Sequence, residues 1–161
     1  LKRFELPATR LQGGVGSSYG AFDEQARIAY LAGFISVYKV HMDTDELLGM
    51  LDFFDVYKEM GRAAGEGWPL SAPSGVYLSP AKDRLLIVSW DGSCLIQYDL
   101  RNQKWIPRVV PVGLGPAATM ISPDRKYLHT VSYRSDTITR LDTTSGEGLE
   151  DLRQADATGQ G

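Results

Sequence analysis

Two short clusters in this chain place an aromatic ring beside charge: Trp90-Asp91, and Tyr133-Arg134-Ser135-Asp136. Such a set suits recognition better than bond-making. The rings supply contact area and the charges fix orientation. Residues able to make or break bonds are scarcer. There are two histidines, His41 and His129, and one cysteine, Cys94. No His-x-x-x-His, Cys-His or paired-carboxylate spacing accompanies either histidine, so the signature of a metal site is missing. His129 lies in a β-rich run and reads as an interior or inter-blade group. No Cys-x-x-Cys-His occurs, which excludes a c-type haem covalently attached to this chain. Asp43, Asp45 and Glu46 form an acidic turn. It lacks the glycine and the distal glutamate of an EF-hand and reads as a solvated turn. Gly13-Gly14-Val15-Gly16 is followed by no Lys-Ser/Thr, so it reads as a loop rather than a phosphate cradle. Residues 13–17 do not form Gly-x-Ser-x-Gly. No catalytic constellation and no cofactor is evident.

What must position the two aromatic clusters is a repeat. Trp90 and Tyr133 are 43 residues apart. The same offset separates Ser79-Pro80 from Ser122-Pro123, Val88-Ser89 from Val131-Ser132, and Asp99 from Asp142. A period of about 40 to 45 residues marks one four-stranded β-propeller blade. The fold class expected is therefore all-β, with about three blades of four antiparallel strands.

The best-written blade spans 75–112. Gly75 to Ser79 is its inner strand. Arg84 to Trp90 (RLLIVSW) is a near-continuous apolar strand, as expected of one buried on both faces. Asp91-Gly92 is a hairpin signal, Cys94 to Leu100 the third strand, and Lys104 to Val112 an outer strand that tolerates Pro107. The next blade, 116–154, repeats this with strands at 117–122, 127–133 and 137–143, and an outer fragment at Leu149 to Leu152. An earlier copy, 17–51, is degenerate. Its strands fall at 17–22, 27–32, 34–40 and 46–51, with Arg27 opposite Arg84, Tyr38 opposite Tyr98, and a shorter turn after the second strand. Residues 52–74 interrupt the period with a short helix near Asp55 to Ala64, whose Phe54, Tyr57 and Met60 share one face. Insertions of this kind map to loops. Lys2 to Leu6 reads as the outer strand of a preceding unit, and ADATGQG at the end as a frayed terminus.

Composition bounds the rest. The chain has 161 residues, 43% hydrophobic and 23% charged, with a net charge of −3. No basic excess suggests nucleic acid, and no apolar run approaches the ~20 residues of a membrane helix. The chain begins at Leu1, without a signal peptide, which suggests a processed product or a piece of something longer. Propellers close with about four to eight blades. Three leave bare flanks, so missing blades or another protein chain are expected as partners.

The residues VPVGLGPAATMISPDRKYLHTVSYRSDTITRLDTTSGE resemble the YVTN-type β-propeller repeat. The matching marks are Val112-Gly113, Pro116, Ser122-Pro123-Asp124, Lys126, Leu128, Asp142-Thr143 and Ser145-Gly146. Residues 75–112 match too, with Ala81 where the family prefers Asp. The Tyr-Val-Ala-Asn tetrapeptide itself is absent. The resemblance is strong over 75–146 and weak over 17–51. It implies a propeller from a group that includes surface-layer proteins, lactonase-like enzymes and subunits of periplasmic amine and nitrite oxidoreductases. A periplasmic or extracellular location and a redox partner are implied in the same way. Fold alone does not give activity. The expected function is a scaffold or binding module, with an oxidoreductase subunit or lactonase-like hydrolase as the alternative. In such propellers one face is built from the turns after each second strand and from the crossings between blades. Here that means Gly33-Phe34, Ser71 to Ser74, 90–93, Leu114-Gly115-Pro116 and 133–136. The ligand-binding rim is then Trp90, Asp91, Tyr133, Arg134 and Asp136.

Overall fold

The computed structural model describes residues 19–67, 69–146 and 148–153. The readings of Lys2 to Leu6, of the Gly13–Gly16 loop and of the terminal ADATGQG lie outside these. The described chain is all-β apart from one short helix. It forms three four-stranded antiparallel sheets, each with its strands in chain order, as in propeller blades. The first sheet holds β1 (Gly20–Asp23), β2 (Ile28–Ala32), β3 (Ser36–His41) and β4 (Leu47–Asp52). Then comes α1 (Phe54–Glu59). The second sheet holds β5 (Pro73–Leu78), β6 (Arg84–Ser89), β7 (Cys94–Asp99) and β8 (Lys104–Pro111). The third holds β9 (Pro116–Ile121), β10 (Tyr127–Ser132), β11 (Thr137–Asp142) and β12 (Gly148–Arg153). First strands are neighbours: β1 packs against β5, and β5 against β9.

The 43-residue copy extends to the hydrogen bonds that close the turn into the second strand. Ser79 N–H donates to the Arg84 carbonyl (2.9 Å), and Ser122 N–H to that of Tyr127 (2.8 Å). The Ser79 hydroxyl accepts from Arg84 N–H (3.2 Å), and that of Ser122 from Tyr127 N–H (3.0 Å). Lys82 and Arg125 both take positive φ in these turns (54° and 59°). The serine is thus selected because its hydroxyl closes the turn into the second strand.

The apolar reading of β6 holds. Its period-2 alternation sends Leu85 and Ile87 into a core shared with the first sheet, and Leu86 and Val88 into one shared with the third. All four are fully buried, each worth roughly 1.5–3 kcal/mol. The first core also takes Tyr30, Ala32, Val37, Val76, Leu78, Ile96 and the thiol of Cys94, which is fully buried. The second is smaller and is completed by Leu95, Val110, Leu128 and Leu141.

The helix is shorter than the sequence suggested. It ends at Met60, where Gly61 follows at φ 66°, a left-handed stop that glycine adopts without cost from a Cβ. Six residues do not make a stable helix in isolation. Packing holds this one: Val56 and Tyr57 are buried, with Phe54 and Met60 partly so. Phe53 meets Trp105 edge-on at 5.8 Å. The helix therefore wedges between β4 and β8, the outer strands of two sheets.

Strand pairing corrects the alignment of the first copy. Ile28 pairs with His41, Arg84 with Asp99 and Tyr127 with Asp142. So Ile28, not Arg27, matches Arg84, and Tyr38 matches Ile96 rather than Tyr98. Burial agrees, because Tyr38 and Ile96 are both fully buried. The turn after the second strand is indeed shorter in this copy. The corrected register also places His41 where Asp99 and Asp142 stand. Asp99 Oδ1 accepts from the N–H groups of Arg101 and Asn102 (2.9 Å each), and Asp142 Oδ1 from Thr144 and Ser145 (2.8 and 2.7 Å). His41 Nδ1 accepts from Asp43 and Thr44 in the same way, at 3.3 and 3.4 Å. The fourth residue on takes positive φ in every case: Asp45, Gln103 and Gly146.

Candidate functional site

Turns after each second strand meet the crossings between sheets at one end of the fan. Trp90 N–H donates to the Ala72 carbonyl (3.0 Å), and Ala72 N–H to that of Phe34 (2.7 Å). One copy later, Tyr133 N–H donates to the Gly115 carbonyl (3.3 Å) and Arg134 N–H to that of Leu114 (3.2 Å). Ala72 and Gly115 are equivalent, and both have positive φ (47° and 62°). Gly115 is the better fitted, since a Cβ there would lie 2.8 Å from Arg134 Cδ and 2.9 Å from Tyr133 Cε1.

Hydroxyls brace the crossings. Ser89 Oγ donates to the Ser71 carbonyl (2.8 Å) and accepts from Ser71 and Gly92 N–H (3.1 Å each). Gly115 N–H donates to Ser93 Oγ (3.2 Å), tying the second sheet's turn to the third sheet's crossing. The Ser71 hydroxyl donates to Asp91 Oδ2.

On this frame Trp90 stacks against Tyr133, with ring centroids 5.0 Å apart and planes at 29°. Beside the stack lies an open cleft of about 400 Å³, lined by Tyr19, Phe34, Ala72, Pro73, Ser74, Trp90, Asp91 and Ala117. Of the five rim residues read from sequence, Trp90 and Asp91 line this cleft and Tyr133 backs Trp90. Arg134 and Asp136 are exposed in the Tyr133 turn and stand outside the cleft lining. Sequence reading had put Phe34 and Ser74 on this face without giving them a role. It had not singled out Tyr19 or Ala117, which lie outside the turns and crossings read as this face. Ser74 is buried, and its hydroxyl has no hydrogen-bond partner among the described residues. That hydroxyl is itself shielded from solvent, so the part of Ser74 that lines the cleft does not offer it to a ligand.

The chemistry-bearing groups outside the rim stand apart from it. His41 caps a turn, as above. Asp43 of the acidic turn is ion-paired with Arg27, whose Nε donates to Oδ2 at 3.0 Å. The Arg27 side chain holds the Asp43 carboxyl below its ordinary range. His129 lies mid-strand in β10, its ring edge-on to Tyr127 at 6.4 Å. Cys94 sits in the core, where burial pushes its thiol up to about 12, so it is not a ready nucleophile. Among the described residues, no three His, Cys, Asp or Glu side chains are grouped to hold a metal ion. No described helix is long and apolar enough to cross a membrane.

No family model matches the chain, and no curated protein does. A chain in the structure of Kuenenia stuttgartiensis hydrazine synthase is similar to it, with a TM-score of 0.67 and 16% identity over 95% of this chain. At that identity the likeness is one of fold. This chain spans 40% of the length of that one. The conclusion these comparisons and the three sheets carry together is architectural: the chain is an incomplete set of propeller-type blades.

Proposed function

We propose that this chain is part of a β-propeller of the YVTN type that works as a scaffold or binding module. The ligand, a small molecule or a segment of another protein, sits at the end of the fan where Trp90 stacks on Tyr133. The observation that carries this reading is the cleft beside that stack. The aromatic side chains of Tyr19, Phe34 and Trp90 line it, with Asp91 the charged residue among its lining. Apolar area with a few polar fixers is the composition of a binding site. Arg134 and Asp136 extend the same surface outward for a larger partner. Export to the periplasm or cell surface goes with the YVTN resemblance.

A second reading is a propeller subunit of an oxidoreductase, whose catalytic groups lie on other segments or chains. Its support is the fold likeness to a chain of hydrazine synthase.

The test is co-purification from the source organism with the wild-type chain and with a Trp90→Ala/Arg134→Ala pair. A partner or small molecule retained by the wild type and lost by the pair is expected. Equal retention removes the rim from the reading. Redox-active cofactor absorbance in the captured complex favours the second reading over the first.

A further inference from the structure

Tyr30 on β2, Lys39 on β3 and Gly49 on β4 pair in register and make one row across the first sheet. Paired positions of this kind share a face, and Tyr30 turns that face toward the second sheet. The corresponding row of the second sheet is Leu86, Gln97 and Ile106. That row is filled. Leu86 is fully buried and Gln97 nearly so. Arg84 Nη1 donates to Gln97 Oε1 and to the Ser145 carbonyl, both at 3.1 Å. Gly146 lies so close to the Gln97 amide that a Cβ there would sit 2.3 Å from Nε2.

The first row is not filled. Gly49 has no side chain, and a Cβ built there would meet nothing within 4 Å. A groove of about 230 Å³ opens at this place, lined by the row and by Met50, Leu51, Tyr98, Leu100 and Gln103. A second space of about 210 Å³ shares Met50, Leu51, Tyr98 and Gln103 with it and reaches Trp105. Neither space shares a lining residue with the cleft beside Trp90.

The polar groups of this groove lack partners. Lys39 is half-buried and has no ion pair or hydrogen bond from its side chain among the described residues. The hydroxyls of Tyr30 and Tyr98 have no hydrogen-bond partner among them either, and unlike that of Ser74 they are not sealed from solvent. Burial holds both phenols above their ordinary range, so at neutral pH they remain donors. No Asp or Glu lines the groove. The carboxylates whose charge reaches these phenols are engaged elsewhere. Asp23 accepts from Lys82 at 2.8 Å, Asp55 is paired with Lys58, and Asp99 accepts from Asn102 at 2.7 Å. The outer space carries both signs of charge, through Glu59 and Lys104 as well as the Asp55–Lys58 pair.

We propose that this groove binds a small monocarboxylic acid with a short apolar body. The carboxylate accepts from the Lys39 ammonium and the Tyr30 and Tyr98 hydroxyls, and the body lies on Met50, Leu51 and Leu100. One cation in a wall free of carboxylates matches one negative charge, and hydrogen bonds to an ionised acceptor are the strong ones. A phosphate head carries about 1.5 to 2 charges at pH 7 and would leave part of its charge unmatched. The groove is smaller than the roughly 300–1,000 Å³ of pockets for drug-sized ligands, so the body is short. Gly49 makes the site: the bulk that Ile106 supplies in the second sheet is missing here.

The test uses the 161-residue chain with ¹³C-labelled methionine methyls. Met50 lines the groove, whereas Met42 lies beyond β3 and Met120 on β9. Hexanoate should move the Met50 resonance to saturation at about 1 mM, the order a ligand of this size supports, and leave Met42 and Met120 in place. Hexan-1-ol should need at least about tenfold more, and hexylamine should not bind. Lys39→Gln and Gly49→Ile each install the residue found at the matching position of the second sheet. Lys39→Gln should weaken hexanoate about tenfold with hexan-1-ol unchanged, and Lys39→Arg should restore the preference. Gly49→Ile should abolish the response to both. No Met50 shift at about ten times the expected concentration overturns the proposal. So does equal binding of acid and alcohol, or hexanoate binding that survives either Lys39→Gln or Gly49→Ile. Hexyl phosphate binding more tightly than hexanoate assigns the head to a dianion and also overturns it. None of these outcomes bears on the Trp90–Tyr133 end, whose residues the variants leave intact.

Discussion

Trp90 and Tyr133, equivalent residues of successive sheets, stack on each other with centroids 5.0 Å apart. Two copies of one turn position have thereby become partners. Offset aromatic pairs contribute about 0.5–1.5 kcal/mol beyond the area they bury. Tyr133 is 56% exposed, which favours the lower half of that range. A double-mutant cycle of Trp90→Ala and Tyr133→Ala, read by denaturant unfolding, should show a coupling of about 0.5–1 kcal/mol. Additive single effects would mean that the rings merely lie side by side.

Gly115 and Ala72 occupy matching left-handed positions but differ in side chain. An L-residue pays about 1–2 kcal/mol there that glycine does not. Gly115→Ala adds a close approach to Tyr133 and Arg134 and should destabilise by about 2 kcal/mol. Ala72→Gly should be neutral or stabilising by up to about 1 kcal/mol. Thermal unfolding of both variants checks the opposite signs.

His41 holds its turn as Asp99 and Asp142 hold theirs, through longer hydrogen bonds. His41→Asp should therefore keep or raise stability, whereas His41→Ala should lose about 0.5–1.5 kcal/mol with the two bonds. Asp99→Ala should cost at least as much. If His41→Asp proved clearly worse than His41→Ala, the equivalence would be wrong.

Alkaline pH should weaken the fold before any ordinary tyrosine effect appears. Burial pushes both the Cys94 thiol and the Tyr77 phenol up to about 12. Their ordinary values are about 8.5 and 10. Each folded-state value lies above the unfolded one, so between the two the unfolded chain holds fewer protons. Stability then falls as pH rises. The contribution is whole below about pH 8.5 and is lost toward pH 12, on the order of 2 kcal/mol from Tyr77 alone. Urea midpoints at pH 8, 10 and 11 should decline in that order, and Tyr77→Phe should flatten the upper part of the decline. At the acid end, backbone donors hold the exposed carboxyls of Asp99 and Asp142 below their usual range, so their support fades only as pH drops through those lowered values.

The sheets were readable because a repeat reports itself twice. Ser79 and Ser122 close the same turn, and the alternation within Arg84 to Ser89 names both neighbours of the strand. The first copy was misaligned by one to two residues because its turn-capping residue is a histidine, not an aspartate, which hid the anchor. Its hairpin is also shorter. Helix length was overestimated because Ala63 and Ala64 favour helix, whereas Gly61 at positive φ ends it. At the rim, ring and charge types pointed to Trp90 and Asp91. Two further lining residues, Tyr19 and Ala117, are set by how three inner strands converge, and spacing along one strand carries no record of that.

The lone thiol has a practical use. Cys94 is sealed inside the wall between the first two sheets, so a labelling reagent reaches it only when that wall parts. At constant pH, the time course of its modification in the unaltered chain is thus a built-in clock for the parting of those two sheets.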